Sequence, residues 1–264
     1  MAGLSPRGET KLLETPGLVL RLRQTGESDV LLDLFTRELG RATALAKGGK
    51  RSRKRFCGLL LTGQYLELTL APVKGGSDLW RLETARLGRP FLGLRRDYRR
   101  LLAAGPIWEL LLRGSAVHDP QPRVLELALL SLERICRCEA PREMISALVV
   151  FLTRLLSLTG YGLNLESCLY CGRPYQPGQK VLLSLEGGLT CGCRPPDRGS
   201  QEAPAGLVMG LRAAQGLELA ALARLGLAGD LLAPALGFLS RFWRRVLVHD
   251  LLSLEAAAGL LKGN

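Results

Sequence analysis

Four cysteines in the second half of the chain have the type and spacing of a metal site. Cys168-Leu169-Tyr170-Cys171-Gly172 and Cys191-Gly192-Cys193 form two close pairs, each beside a glycine, with nineteen residues between Cys171 and Cys191. Thiolates are soft ligands that suit a tetrahedral Zn2+ ion, and a full set of four leaves no position open for water. Cys168, Cys171, Cys191 and Cys193 are therefore read as the ligands of one structural zinc per chain. The second pair is Cys-x-Cys where Cys-x-x-Cys is usual; one residue fewer tightens that knuckle and still allows both sulfurs on one ion. Seven cysteines is an odd number for a disulfide-stapled secreted protein. Cys57, Cys136 and Cys138 read as free thiols in a reducing cytoplasm. The two histidines, His118 and His249, lie far from the cysteines in sequence and read as ordinary residues.

The second chemistry is cationic. Lys47-Gly48-Gly49-Lys50-Arg51-Ser52-Arg53-Lys54-Arg55 holds six Lys or Arg in nine residues and no acid. Gly48-Gly49 predicts a flexible loop, whose cations can neutralise backbone phosphates and release counterions. Lys47, Lys50, Arg51, Arg53, Lys54 and Arg55 are the first candidates for DNA contacts; Arg21, Arg23, Arg37 and Arg41 are the second. A net charge of +12, from 36 Lys and Arg against 24 Asp and Glu, points to a polyanion, nucleic acid before anionic membrane. The bland alternative for the tract is a solvated or localisation-like loop. Nearby aromatic platforms are sparse (Phe35, Phe56 and Tyr65), so a charge-dominated surface is expected over a base-stacking groove.

Two further basic groups stay open at this level. Arg95, Arg96, Arg99 and Arg100 would share one face of a helix, which either extends the nucleic-acid surface or is only solvated. Arg241, Phe242, Trp243, Arg244 and Arg245 either bind a partner or divide into core on one side and solvated charge on the other. Catalytic signatures are missing. The chain has no G-x-x-x-x-G-K-[ST], no H-E-x-x-H and no H-x-E, so a phosphate-cleaving loop and a zinc-site general base are both lacking. The expectation is a protein that is not an enzyme. A zinc-containing interaction scaffold with incidental charge is the alternative, and a zinc enzyme acting on nucleic acid is a third reading with no visible base.

Residues 11–86 must place the basic tract. Leu18–Arg23, Val30–Thr36, Arg41–Ala46, Tyr65–Leu70 and Leu79–Leu82 read as five short strands, with Gly40 at a hairpin junction and a turn at Lys74–Asp78. Five strands in so short a stretch fit a small closed barrel such as an OB-fold. From residue 87 the pattern turns helical, with Ala104-Gly105-Pro106 interrupting or starting a helix, Val124–Cys136 and Arg142–Leu158 as further helices, and antiparallel packing expected. Val181–Leu185 reads as a strand leading to the Gly187-Gly188 turn and the second cysteine pair. Residues 204–225 and 231–262 read as helical again. The fold class is α+β: an N-terminal OB-fold barrel (1–86), then a helical bundle (87–264) with the four-cysteine zinc motif embedded at 165–196. No stretch reaches eighteen residues without charge, and Met1–Thr10 lacks an apolar run fit for a secretory signal, so no membrane association is expected.

Particular residues also resemble a known family. Leu18-Val19-Leu20-Arg21 with Gly26-Glu27-Ser28-Asp29, then Leu34-Phe35-Thr36-Arg37-Glu38-Leu39-Gly40-Arg41, then Ala46-Lys47-Gly48-Gly49-Lys50-Arg51-Ser52, looks like the opening of the RecO family of bacterial DNA repair and recombination mediators. Leu158-Thr159-Gly160-Tyr161 followed by Leu165, Cys168, Cys171 and Gly172 is similar to the approach to that family's zinc site. The resemblance covers roughly residues 10–200. It implies an OB-fold, a helical bundle, an embedded zinc motif and a non-enzymatic role in the bacterial cytoplasm, at the nucleoid. It also implies binding to single- and double-stranded DNA, annealing of complementary strands, and work with RecR and, in many bacteria, RecF. That work helps load RecA onto strands coated by single-stranded DNA-binding protein (SSB), whose C-terminal tail docks in the helical domain of some members. The Cys-x-Cys pair departs from the family's usual spacing, and some relatives lack the site.

Overall fold

The computed structural model describes residues 12–52, 54–73 and 78–262. Five strands come first: β1 (Leu13–Thr25), β2 (Asp29–Thr36), β3 (Gly40–Ala46), β4 (Tyr65–Pro72) and β5 (Leu79–Leu87). They close into a barrel in the order β1-β2-β3-β5-β4. Neighbours are antiparallel except β3 with β5, which run parallel. A five-stranded closed barrel of this kind is an OB-fold. Alternation along the strands sends Val19, Leu32, Leu34, Ala44, Leu66, Leu68, Leu70 and Leu82 into one buried cluster. β1 carries a bulge: Val19 faces Leu34, but two residues on Arg21 faces Asp33. The extra residue, Leu20, lets β1 switch from core-facing Val19 to exposed Arg21 without breaking the ladder. Most of the expected turn, Lys74–Ser77, lies outside the described residues.

By its internal contacts the chain divides into two units, one holding the residues up to Leu92 with Trp108–Leu125, the other Gly93–Ile107 with the residues from Glu126 onward. Trp108–Leu125 belongs with the barrel through specific bonds. Arg41 Nε donates to the Ser115 carbonyl at 2.9 Å, and the His118 N–H donates to the Arg41 carbonyl at 3.0 Å.

The second unit is helical. α1 (Tyr98–Gly114) and α2 (Pro122–Arg137) each contribute part of their length to it, and α3 (Pro141–Leu158), α4 (Ala205–Gly216), α5 (Leu219–Leu222), α6 (Gly229–Leu247) and α7 (Leu252–Ala258) lie wholly within it. α3 is the hub. Every residue from Met144 to Leu156 is buried, and α4 and α6 pack against it. A helix buried on every side is a core helix, here apolar apart from Ser146, Thr153 and Arg154 within Met144–Leu156. Pro141 starts it, and Glu143 reaches back to accept from the N–H groups of Glu139 (3.0 Å) and Ala140 (3.3 Å). Among the described residues no helix is long and apolar enough to cross a membrane.

Three expectations about the helices are corrected. α1 runs unbroken through Pro106, because burial of Ala103, Ala104 and Ile107 offsets the one hydrogen bond the proline removes. The Arg95–Arg100 face does not form on one helix. Arg95 and Arg96 end a 3-10 turn (Leu92–Arg96), and Asp97 then caps α1 by accepting from the Arg99 N–H at 2.9 Å. The C-terminal helices are also divided, at Leu217-Glu218 and at Val248–Leu251, where Val248 takes a left-handed conformation (φ 58°).

Between α3 and α4 lies a second, small sheet of β6 (Asn164–Cys168), β7 (Leu182–Ser184), β8 (Gly188–Thr190) and β9 (Gln201–Glu202), in the order β6-β8-β7-β9. β7 and β8 form a hairpin, with Leu185–Gly187 as its turn.

Candidate nucleic-acid interface and metal centre

The basic tract is the connection between β3 and β4, and it is built rather than loose. Gly48 adopts φ +65°, a region open to glycine, and its N–H donates to Asp29 Oδ1 at 2.7 Å. The N–H groups of Gly49 and Arg51 close turns onto Ala46 and Gly48, and that of Lys50 reaches the Ser28 carbonyl. Ser52 Oγ then accepts from the N–H groups of Arg55 (3.1 Å) and Phe56 (3.2 Å). Phe56 drops into the barrel core at 2% exposure. The loop expected to be flexible is thus pinned at both ends, by a carboxylate on β2 and by a buried ring.

What remains outside is charge. Lys47, Lys50, Arg51, Lys54 and Arg55 are exposed, and the first four form no ion pair among the described residues. Arg55 donates to the Lys47 carbonyl at 2.9 Å and lies over the Phe56 ring at 5.0 Å. Arg53 lies outside the described residues. The second rank of cations separates. Arg37 is exposed in the β2–β3 turn, whereas Arg41 is engaged with Ser115. Arg21 and Arg23 stand half-exposed on the outer face of β1, both bonded to Asp33. Of the aromatic side chains near the tract, Phe35 is fully buried and Phe56 is in the core, so neither is a platform; Tyr65 is half-buried, which pushes its phenol up.

Sequence patterning did not single out Asp33. It lies 3% exposed among the apolar residues of β2, and accepts from Arg21 Nε at 2.7 Å, Arg23 Nη2 at 3.0 Å and Thr43 Oγ1 at 3.0 Å. Burial alone would raise its pKa, but the bonds from Arg21, Thr43 and Arg23 outweigh it and hold the carboxyl below the ordinary range. A lone acid within Val30–Phe35 was the signal available, because a buried carboxylate needs partners.

The four cysteines converge. β6 delivers Cys168, whose carbonyl accepts from the Gly172 N–H at 3.0 Å to make the first knuckle. β8 leads into Cys191, and Gly192 at φ +80° makes the tight second turn that the short Cys-x-Cys spacing demands. The four sulfurs lie within 4.8 Å of one another, with Cys168–Cys193 at 3.6 Å and Cys171–Cys191 at 3.5 Å. Ligands about 2.3 Å from a tetrahedral zinc are about 3.8 Å apart, so these separations fit the ion and are far too long for a disulfide. Burial opposes ionisation of Cys168, yet N–H groups of Cys171, Tyr170 and Cys191 bring its thiol down to about 6. Cys193, desolvated and facing the other three sulfurs, is pushed up to about 12. Four thiols so close cannot all ionise without a cation among them. Cys57, Cys136 and Cys138 are not in the cluster.

The third candidate group splits by side of α6. Phe242 (6% exposed) and Trp243 (2%) are core: Phe242 stacks on Phe238, and Trp243 Nε1 donates to the Leu152 carbonyl at 3.3 Å. Arg241 bonds Gln201, Arg245 pairs with Glu186, and Arg244 sits 3.6 Å from Asp250. Only these arginines are left at the surface for a partner. In the expected basic helix face, Arg99 pairs with Asp97, and Arg100 donates to the carbonyls of Gly93 and Cys138.

Comparison with known proteins covers both halves. Residues 11–91 match the family described as recombination protein O N terminal, and residues 95–255 match recombination protein O C terminal. The DNA repair protein RecO of Syntrophobacter fumaroxidans is 34% identical over 189 residues, 71% of this chain and 73% of its own. That of Frankia casuarinae is 33% identical over 193 residues, 72% of this chain and 76% of its own. That of Syntrophus aciditrophicus is 27% identical over 246 residues, 92% of this chain and 93% of its own. With the closed barrel inside the first match and helices α1 to α6 and the cysteine cluster inside the second, the chain belongs to the RecO family, whose role is DNA repair and recombination.

Proposed function

We propose that the chain is a non-enzymatic DNA-binding mediator. It binds single- and double-stranded DNA through backbone phosphates and anneals complementary strands. With RecR, and RecF where present, it assists loading of RecA onto single strands coated by SSB, whose C-terminal tail it also contacts. The observation that carries this is the pinned β3–β4 connection, which holds Lys47, Lys50, Arg51, Lys54 and Arg55 on the surface of an OB barrel. Two complementary strands repel one another, and a cationic surface that binds both lowers that repulsion and raises their local concentration. Phosphate contacts carry no base information, so binding is largely sequence-independent. Such work places the protein in the bacterial cytoplasm, at the nucleoid.

Zn2+ is the cation we assign to the cysteines. Cys168, Cys171, Cys191 and Cys193 would hold it, and it supplies a cross-link between the two knuckles and no reactive position.

The test is strand annealing by the purified protein, with bare strands and with strands coated by SSB, comparing the parent with a variant in which the six cations Lys47, Lys50, Arg51, Arg53, Lys54 and Arg55 are alanine. Binding to a single strand should fall with salt with a log–log slope of about −0.7 per phosphate neutralised, so six neutralised phosphates contribute about −4. The variant should lose that share of the slope and most of its annealing. Unchanged annealing by the variant, or salt-independent affinity of the parent, refutes the proposal.

A further inference from the structure

A carboxylate on a phosphate-binding surface lowers its attraction for DNA, so Asp33 needs a reason to be there. Its geometry supplies one. The strand register sets Arg21 opposite Asp33 and Asp33 opposite Thr43, making one row across β1, β2 and β3, with Arg23 two residues along the same face of β1. Both carboxylate oxygens are occupied from within this row, one by Arg21 Nε, the other by Arg23 Nη2 and Thr43 Oγ1. The carboxylate is buried at 4% side-chain exposure, while the two arginine side chains are 50% and 46% exposed. Each guanidinium has five N–H donors in a planar fork. Arg21 spends its Nε on Asp33 and keeps both terminal nitrogens; Arg23 spends one terminal nitrogen and keeps the other and Nε. Two guanidiniums on one carboxylate leave the group positively charged.

We propose that Asp33 is a positioning residue for a two-arginine phosphate clamp on the outer face of the barrel, with Thr43 orienting its carboxylate. The ligand is the phosphodiester backbone of a DNA strand, and the proposal rests on the nucleic-acid reading of the barrel given above. Ordering a long, rotamer-rich side chain at an interface costs free energy at the moment of binding. Asp33 settles that cost during folding, so both arginines meet a phosphate already aimed. The carboxylate stays ionised for the task because the bonds it accepts outweigh its burial.

Charge counting and positioning predict opposite signs for Asp33→Asn. Removing an acid from a DNA-binding face, by charge alone, tightens binding. Under the proposal it weakens binding, because asparagine offers one acceptor and turns an N–H2 group toward a guanidinium. The expected result for the full chain with an oligothymidylate is a roughly threefold to tenfold loss of affinity, with a salt slope shallower by about 0.7 for each phosphate no longer neutralised. Thr43→Val, which changes no charge, should lose affinity in the same direction by less. An Arg21→Ala/Arg23→Ala double variant separates DNA binding by this face from the positioning role of Asp33. If it leaves affinity and slope unchanged, this face does not touch DNA and the clamp falls with that reading. If it weakens binding but Asp33→Asn tightens binding or leaves it unchanged, DNA binding stands and the positioning role is overturned. A thermal melt checks each variant's fold; should Asp33→Asn fail to fold, Thr43→Val decides, and unchanged affinity there overturns the proposal.

Discussion

Replacing Cys168 by serine tests whether the cysteine cluster is a staple. The sheet around it is too slight to stand alone: β6 has five residues, β7 and β8 three each, and β9 two. Isolated strands this short are marginal in water. Most of the segment from Cys171 to Lys180 is also exposed. A closed four-thiolate zinc site contributes apparent binding energy on the order of 10–16 kcal/mol, coupled to folding, which is ample to hold such a sheet together. Cys168 is the buried member of the cluster, and its sulfur receives N–H groups from both knuckles, so under the zinc assignment its loss would remove a metal ligand and the centre of that network. The expected outcome is about one zinc per chain in the parent by elemental analysis and much less in Cys168→Ser. Amide exchange should accelerate across residues 164–202 while the barrel strands keep their protection. DNA affinity at a fixed protein fraction folded should be unchanged. If chelator-treated parent protein carries no metal yet keeps its exchange protection in 164–202, the staple argument is wrong.

Three further outcomes follow from individual side chains. In Gly188→Ala the new Cβ would sit 2.4 Å from the Asn164 carbonyl oxygen, where β6 meets β8; the crowding costs about 1–3 kcal/mol and should show as weaker retention of zinc against a chelator. Phe56→Ala empties a core position and should cost about 3–5 kcal/mol by denaturant titration, and trypsin should then cut the released loop at Lys54 and Arg55 faster than in the parent. Asp33 is held below its unfolded pKa of about 3.9, so it contributes stability above that pH which is lost as pH falls through its lower folded value. The stability gap between the parent and Asp33→Asn should therefore be constant near neutrality and narrow below about pH 4; a gap that widens there contradicts the assignment.

Sequence patterns carried local information well and shared faces poorly. Alternation along Leu18–Arg23 and Tyr65–Leu70 marked real strands because a strand's period of two is set by its own backbone. The Arg95–Arg100 stretch had a good helical spacing, yet Asp97 halts the turn by capping α1, and a cap competes with helix through a bond that periodicity does not count. Pro106 looked like a boundary for the opposite reason: its local penalty is visible in sequence, whereas the burial that outweighs it is not. Phe242 and Trp243 leave two readings open in sequence, partner contact or core, and α6 settles it by turning them onto α3.

The amino-acid sequence by itself determined the barrel-then-helices order, the family, the four cysteines and the basic tract. Each of these rests on composition, on spacing along the chain or on a backbone period, and all three are properties of neighbours in sequence. Only the tertiary structure decided which charges are spoken for. Arg41 and Arg100 are tied to carbonyls that lie 74 and 38 residues away, Asp33 on β2 draws on the strands to either side of it, and the cysteine pairs meet across a sheet. A charge's function depends on what else reaches its hydrogen-bonding groups, and in this chain the groups that reach them come from distant parts of the sequence.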